Sequence, residues 1–260
     1  MGWLTTTDPS PNHNAARELH DAHTGSWFTK SSEYQNWKTG SIRFLWLHGI
    51  PGAGKTVLFS YIVEDVKKYC KSWPNDSTAC SYYYCSFERA RDEVPHLLRW
   101  VISQLCRQCN YLPDELQNCF YAKEQPSVPV LTRTLSTILR NFRHVYLLLD
   151  ALDESVDRRN LLRLLAEVFA GDAFRKIRLL ATSREEIDIE IAFRNVCVDV
   201  SLSNPFVDKD IQVYIRNQIQ EHHKLRTWPE SLWVEIEAAL VNGAKGMYVI
   251  GSSNNLWCSS

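Results

Sequence analysis

The chain has 260 residues, of which 45% are hydrophobic and 23% charged, and its formal net charge is -1. This length accommodates one large α/β domain, with or without a helical appendage, and the composition is that of an ordinary soluble globular protein. A nearly neutral chain has no overall charge excess toward nucleic acid or lipid headgroups, so we expect neither nucleic acid nor a membrane as a partner.

The amino terminus, the apolar runs and the cysteines predict a cytoplasmic protein. Residues 1–4 lead into polar sequence without the pattern of a secretory signal, and no apolar run reaches the roughly 20 residues that cross a bilayer. The eight cysteines are scattered, unlike a disulfide framework. Cys106 and Cys109 form an isolated CxxC pair, which we interpret as packed thiols because a zinc site usually needs a second pair.

Residues 1–40 predict an irregular lead-in to the main domain. They are rich in Thr, Pro, Asn, His and Asp, which favour turns, and they contain one candidate short helix, from Asn14 to His20. We therefore place the start of the main domain at residue 41.

From residue 41 to residue 203 the sequence alternates between strand and helix patterns. Short apolar runs predict strands at Ile42–His48, Ala79–Phe87, Val145–Leu149, Ile177–Ala181 and Val196–Val200. Helical periodicity predicts helices near residues 58–69, 94–105, 113–123, 130–141 and 157–170. Strands separated by helices of this length indicate βαβ units. We expect an α/β domain of three layers, with a mainly parallel sheet covered on both faces.

After residue 203 only helix patterns remain. Asp208 is a candidate cap for a helix that carries Ile211 and Ile215, and Pro229 is a candidate first residue of another. We interpret residues 204–260 as a small helical extension whose last stretch, from Ile250, is a ragged end rich in Ser and Asn.

A glycine-rich loop follows the strand that ends at His48. Residues 49–56 (GIPGAGKT) match G-x-x-x-x-G-K-[ST] at every fixed position, in the strand–loop–helix context of a Walker A motif. Backbone amides and the helix N-terminus should bind phosphate oxygens, the lysine should reach the β and γ phosphates, and the threonine hydroxyl should coordinate magnesium. The residues expected to hold the nucleotide phosphates are Gly49, Pro51, Gly52, Ala53, Gly54, Lys55 and Thr56.

Three carboxylates follow the strand that ends at Leu149, at the sheet edge where α/β proteins bind ligands. Asp150 fits a Walker B acid that holds magnesium, and Asp153 or Glu154 is a candidate to orient or deprotonate an attacking water. An acidic strand end is by itself often a solvated turn or a helix cap. The Walker A motif upstream favours the nucleotide-site interpretation.

Two further side chains are candidates to contact the nucleotide, and each also has a purely structural interpretation. Arg184 follows the strand that ends at Ala181, so we predict a γ-phosphate sensor, the alternative being an exposed arginine at the start of a helix. Trp27 precedes the first strand and is a candidate to stack on the nucleobase, the alternative being that it packs the lead-in onto the domain.

Together these residues resemble the NACHT branch of the signal-transducing (STAND) P-loop NTPases, most closely fungal NACHT proteins with nephrocystin-like N-terminal nucleotide-binding domains. The resemblance rests on GIPGAGKT at residues 49–56, LLLDALDE at 147–154 and ATSRE at 181–185, and it spans nearly the whole chain. It implies a module whose nucleotide state switches closed and open assemblies, with self-association or other NACHT-type proteins as partners. Fungal members act in non-self recognition and cell death, which the resemblance implies as the setting of this chain.

We therefore predict a switch that binds ATP or GTP with Mg²⁺ and hydrolyses it slowly or not at all, since a switch needs a long-lived bound state. The alternatives are an active AAA-like NTPase, for which the sequence assigns no arginine finger, and a nucleotide or small-molecule kinase. A further alternative is a truncated, non-catalytic interaction module that bound nucleotide only stabilises.

Overall fold

A five-stranded sheet, in which every strand runs parallel to its neighbours, forms the centre of the molecule. The computed structural model describes residues 2–5, 7–21, 24–73, 78–87, 92–221, 229–244 and 247. The strands are β1 Phe44–His48, β2 Thr78–Tyr84, β3 His144–Asp150, β4 Ile177–Ser183 and β5 Val198–Ser201, in the order β2-β3-β4-β1-β5. Each strand lies at a run predicted from the sequence, and the predicted α/β class is confirmed.

Helices cover both faces of this sheet. Those described are α1 Ser10–Glu18, α2 Ser26–Lys30, α3 Ser32–Thr39, α4 Lys55–Lys71, α5 Glu93–Cys109, α6 Asp114–Ala122, α7 Val128–Ile138, α8 Arg158–Ala170, α9 Ile187–Phe193, α10 Pro205–Glu221 and α11 Glu230–Ala244. Short 3₁₀ turns lie at Leu139–Asn141, Leu152–Glu154 and Asp172–Phe174. The five helices predicted between strands correspond to α4 through α8.

The alternation of side chains along β1 explains why the fold has three layers. Phe44 and Trp46 point into a core shared with α5, α7, α8 and α9, whereas Leu45 and Leu47 point into a core shared with α3, α4 and α10. Every residue of β1 is buried. A strand buried on both faces reads as a continuous apolar run, which is the pattern the sequence has here.

The two edges of the sheet differ. Helix α5 lies along β2, where Gln104 Oε1 accepts from Tyr82 N at 3.0 Å. Gln108 Oε1 accepts from Cys80 N at 3.1 Å, and Gln108 Nε2 donates to Cys80 O at 2.9 Å. Trp100 Nε1 donates to Tyr82 O at 2.9 Å. Side chains thus occupy the outward backbone groups of β2. At the other edge, β5 pairs only with β1 among the described residues.

The lead-in is more helical than the sequence predicts. It contains α1, α2 and α3 in place of one helix at Asn14–His20, and α1 begins earlier, at Ser10. The Ser31 side chain caps α3 by accepting from Tyr34 N at 3.2 Å, and Trp37 is fully buried with its Nε1 donating to Leu179 O at 2.8 Å. Burial of aromatic side chains against the sheet stabilises short helices that polar composition alone does not predict.

The start of the helical extension also differs from its prediction. Helix α10 begins at Pro205, and Asn204 Oδ1 accepts from Phe206 N and Val207 N at 3.0 and 3.2 Å. Asn204 is therefore the cap, and Asp208 lies inside the first turn. The predicted ragged end from residue 250 lies outside the described residues. Among the helices that are described, none is both long and apolar enough to cross a bilayer.

Candidate nucleotide-binding site

The loop after β1 depends on glycines in the left-handed region. Gly52 and Gly54 have φ angles of 76° and 77°, which residues with a side chain rarely adopt, and α4 begins directly after them at Lys55. Within the described residues the amides of Gly52 and Gly54 have no acceptor, whereas the Ala53 amide donates to Ile50 O at 3.3 Å. The loop therefore presents N–H groups at a helix N-terminus, an arrangement that binds phosphate.

The first half of this loop packs against the sheet. The Gly49 amide donates to Ser183 O at 3.3 Å. A Cβ at Gly49 would lie 3.0 Å from the Leu202 Cβ, so a larger residue would push the loop out of place. Pro51 is exposed and borders the same cavity as Gly52. These contacts fix the point where the loop leaves β1.

Lys55 folds back over the loop. Its Nζ donates to the carbonyl oxygens of Gly49 and Ile50, at 2.8 Å each. Burial lowers the pKa of Lys55, an effect that the nearby Asp153 and Asp150 oppose. Because a charged phosphate oxygen is a stronger acceptor than a neutral carbonyl, the same amine can turn toward a triphosphate.

Asp150 ends β3 in a position that is only 1% exposed. One carboxylate oxygen accepts from Thr182 Oγ1 in β4 at 2.5 Å. Burial raises the pKa of Asp150 to about 6, while hydrogen bonds from Thr182 and from Thr56 in α4 act in the opposite direction. The loop, β3 and β4 thus bring a carboxylate, two hydroxyls and a lysine to one end of the sheet.

The groups around Asp150 fit a magnesium ion. Mg²⁺ prefers oxygen ligands, keeps several waters, and is usually held by one or two protein groups together with substrate phosphates. The Asp150 carboxylate and the Thr56 hydroxyl are ligands of this kind, and a cation would stabilise the ionised carboxylate that burial disfavours. No group of three or more His, Cys, Asp or Glu side chains that could hold a metal occurs in the described part of the chain. Phosphate oxygens would therefore complete the coordination.

Asp153 and Arg184, both predicted to act in catalysis, bind each other. The Arg184 amide donates to Asp153 Oδ1 at 3.0 Å, and Arg184 Nε lies 3.1 Å from Asp153 Oδ2. The Asp153 side chain is 5% exposed and that of Arg184 is 44% exposed. Glu154 is half-buried. Its pKa is raised mainly by burial and, to a smaller extent, by the negative charge of Asp153. Glu154 has no ion-pair partner among the described residues, so it is the carboxylate left available to a ligand.

The other half of the cavity is built from the lead-in and α10. The cavity, of about 330 Å³, extends from the glycine-rich loop to Trp27 and Asp210. Asp210 Oδ2 accepts from Gly25 N at 2.5 Å, and the Trp27 ring stacks on Phe206 with centroids 5.9 Å apart and planes 10° from parallel. Sequence reasoning missed Asp210, because no local signal separates it from other polar residues of an amphipathic helix.

Two more contacts hold the lead-in beside the cavity. The His20 ring stacks on Tyr61 of α4, with centroids 4.6 Å apart and an interplanar angle of 8°. Burial lowers the pKa of His20, which favours the neutral ring. Asn217 Nδ2 of α10 donates to Asp21 Oδ2 at 2.8 Å. The lead-in is therefore tied to both α4 and α10 around the cavity.

The CxxC pair has the character of packed thiols. Cys106 is buried, and burial raises its pKa to about 12; burial also raises the pKa of Cys109. Both thiols are free. A thiol with a raised pKa is a poor nucleophile and a poor metal ligand, which supports the packing interpretation.

The parallel sheet, the glycine-rich loop between β1 and α4, and the buried acid at the end of β3 define a P-loop NTPase fold, and sequence similarity to known proteins identifies its nucleotide-binding module as NACHT-type. The family described as nephrocystin 3, N-terminal, matches residues 23–184, more than half of the chain. The chain belongs to that family.

Similar proteins agree with this class. The vegetative incompatibility protein HET-E-1 of Podospora anserina is 28% identical over 210 residues, covering 75% of this chain and 15% of that protein. The Walker-type ATPase PABY2304 of Pyrococcus abyssi aligns with a TM-score of 0.53 and 14% identity, over 90% of this chain and 67% of that one. Cdc6p of Pyrobaculum aerophilum aligns with a TM-score of 0.47 and 13% identity, over 93% and 68%. The likeness to PABY2304 indicates the shared fold alone.

Proposed function

We propose that this chain is a switch module that binds ATP or GTP at the glycine-rich loop, with Mg²⁺ held by Thr56 and Asp150. The observation that carries the proposal is the placement of a buried carboxylate, Asp150, beside Thr56 and Lys55 at the end of a loop with unbonded amides. A buried carboxylate costs stability unless a partner compensates it. A magnesium-bound triphosphate is a ligand that would engage all of these groups at once.

Each residue has a role in the proposed complex. The amides of Gly52 and Gly54 donate to phosphate oxygens, and Lys55 Nζ exchanges its two carbonyl acceptors for the β and γ phosphates. Bound Mg²⁺ would neutralise phosphate charge, and Asp150 and Thr56 would position it. Gly49, Pro51 and Ala53 shape the loop.

The pairing of Asp153 with Arg184 supports slow or absent hydrolysis. Both carboxylate oxygens of Asp153 face donors of Arg184, so this carboxylate is not free to deprotonate a water. Glu154 is the remaining candidate base, and burial raises its pKa. A site that keeps a single available carboxylate as base favours a long-lived bound nucleotide.

Arg184 is proposed as the group that distinguishes a triphosphate from a diphosphate. Its side chain is 44% exposed and borders the cavity while its Nε contacts Asp153. A γ phosphate offers this guanidinium a second anion, and exchange between the two anions would link nucleotide state to the loop after β4. Asp153 would then be the resting partner of Arg184.

The biological setting is proposed from similarity. HET-E-1 is named for vegetative incompatibility, and the chain spans 15% of its length. We propose that this module acts in a signalling protein of the same kind, in non-self recognition or cell death, through self-association or contact with other NACHT-type proteins. Seven free thiols in the described residues fit a reducing cytoplasm.

Calorimetric titration with ATP, GTP, ADP and GDP, with and without Mg²⁺, tests the proposal. We expect saturable, Mg²⁺-dependent binding and single-turnover hydrolysis that is slow or undetectable. The Asp150→Asn variant should lose more of the Mg²⁺ dependence than of the binding itself. Rapid multi-turnover hydrolysis that rises steeply with protein concentration would favour an AAA-like NTPase. Absence of binding by a folded chain would favour a non-catalytic interaction module.

A further inference from the structure

A second cavity lies beside the open edge of the sheet, between α9 and the ends of β1 and β5. Its volume is about 460 Å³, and it shares no lining residue with the nucleotide cavity. Trp46 and Phe193 line it; they are 5% and 3% exposed, and their rings meet edge to face with centroids 5.6 Å apart. The cavity therefore contains fixed aromatic rings rather than mobile surface side chains.

Carboxylates surround the mouth of this cavity. Glu185, Glu190 and Asp199 line it, and the side chains of Glu185 and Asp199 are 64% and 67% exposed. Arg194 is the one lysine or arginine among its lining residues. The local charge is therefore negative, in a chain whose net charge is close to zero.

One ring nitrogen of a buried histidine at this cavity has no hydrogen-bond partner. The His48 side chain is 8% exposed, and its Nε2 lies 3.3 Å from Asp199 Oδ2, where an N–H can donate. Glu185 Oε1 lies 2.7 Å from Nδ1, yet Nδ1 is buried and has no partner with hydrogen-bond geometry. When Nε2 carries the proton, Nδ1 is an acceptor beside a second acceptor, so this corner of the cavity needs a donor or a positive charge.

We propose that this cavity binds the guanidinium group of an arginine side chain from a partner polypeptide. A planar cation packs on aromatic rings, and its N–H groups can donate to the exposed carboxylates of Glu185 and Asp199 together, which places its positive charge beside the His48 ring. The arginine belongs to a polypeptide because Asp199 lies in β5, whose outer edge pairs with no strand in the described residues. An extended segment can align along that edge while its arginine enters the cavity.

This cavity adjoins the nucleotide site in the sequence, but arginine binding in it does not depend on bound nucleotide. His48 immediately precedes Gly49 of the glycine-rich loop, and Glu185 immediately follows Arg184. An arginine bound between His48 and Glu185 would bridge the two segments that carry the phosphate loop and the proposed sensor. Arginine binding itself requires no nucleotide, so the inference can be tested on the ligand-free chain.

The Trp46 indole provides a direct readout, because its Nε1 donates to Ser183 Oγ at 2.8 Å within this region. The probe is N-acetyl-arginine-N-methylamide, titrated into the ¹⁵N-labelled full chain and followed by NMR, with Trp46→Phe used to assign the indole signal. We expect saturable shifts with a Kd on the order of millimolar. The citrulline analogue has the same shape without the charge and should cause none.

Substitutions at the rim complete the test. Glu185→Gln and Asp199→Asn remove exposed carboxylates without disturbing the core, and each should weaken arginine binding about tenfold. Glu167→Gln, an equal change of charge on α8, should leave the binding unchanged. The proposal is overturned if arginine causes no saturable shift, if citrulline or the lysine analogue matches it, or if Glu185→Gln and Asp199→Asn bind like the parent.

Discussion

The two halves of the nucleotide cavity are built in different ways. The phosphate half comes from the loop at residues 49–56 and from the ends of adjacent strands, so its chemistry is carried by short contiguous motifs. The other half, called the base half because we propose that the nucleobase lies there, forms where the lead-in meets α10, through contacts such as that of Gly25 with Asp210, which are 185 residues apart. The first half is therefore fixed locally, and the second exists only when two distant segments fold together.

Because the two halves are built differently, we expect them to contribute differently to ligand binding. In the proposed complex, the phosphate half supplies the charges and amides that bind the triphosphate. The base half contributes Trp27, His20 and Asp210, which line the cavity and contact Phe206, Tyr61 and Gly25 respectively. Substitutions in the phosphate half should affect the binding of nucleotides and of inorganic polyphosphate alike, whereas substitutions in the base half should weaken nucleotides only.

Lys55→Ala should have the largest effect. The proposed complex loses charge-assisted hydrogen bonds to the β and γ phosphates, so triphosphate affinity should fall by about 100-fold or more. Calorimetry with ATP, GTP and tripolyphosphate measures the loss, which should be equally severe for all three. The strand and helix pack without this amine, so the melting temperature should stay close to that of the parent.

The matched control is Lys30→Ala, which removes an exposed lysine from α2. Parent-like affinity in this variant would attribute the loss to the position of Lys55 rather than to net charge. If Lys55→Ala binds triphosphate as tightly as the parent, the site assignment is wrong.

Asp150→Asn should change the pH dependence of stability in the nucleotide-free, Mg²⁺-free chain. Burial raises the pKa of Asp150 to about 6 in the folded state, against about 3.9 in an unfolded chain. Between these pH values the folded state binds more protons than the unfolded state, so the free energy of unfolding falls as pH rises through the window, by at most about 3 kcal/mol. The asparagine variant should lose this slope and be more stable than the parent at pH 7.

Urea unfolding at intervals from pH 4 to pH 7 measures this slope. Asp172→Asn serves as the control, because it removes a carboxylate that is 82% exposed at the opposite end of the sheet. Identical slopes for the parent and Asp150→Asn would mean that burial does not raise the pKa of Asp150 in the folded chain.

The same division explains what could be predicted from the sequence. The five strands were predictable because each is a short apolar run, and Lys55 and Asp150 were predictable because their motifs are local. The three lead-in helices and the role of Asp210 depend on tertiary contacts that no local pattern encodes. The cap at Asn204 is local, an Asn before a Pro at the first helical position, although we predicted Asp208 as the cap from the sequence. The pairing of Asp153 with Arg184 joins two predicted residues, but only the register of neighbouring strands reveals that they bind each other.

Asp210→Ala should weaken nucleotide binding about tenfold and leave tripolyphosphate binding unchanged. The variant removes the acceptor of the Gly25 amide, so one of the contacts that hold the lead-in against α10 is lost and we expect the base half to widen. Calorimetry with both ligands measures the difference. Asp208→Ala, an exposed neighbour on α10, is the control. An equal loss for both ligands would show that Asp210 supports the whole domain rather than the base half.

Trp27→Ala should have the smallest effect, a threefold to fivefold loss of nucleotide affinity with tripolyphosphate binding unchanged, because aromatic stacking contributes about 0.5–1.5 kcal/mol. Phe206 covers one face of the Trp27 ring, so only its other face and edge can meet a base. Trp27→Phe should retain most of the affinity. Phe206→Ala removes the ring behind Trp27 and should reproduce part of the loss if that ring must be held in place. If Trp27→Ala lowers the melting temperature without separating the two ligands, Trp27 only packs the lead-in onto the domain.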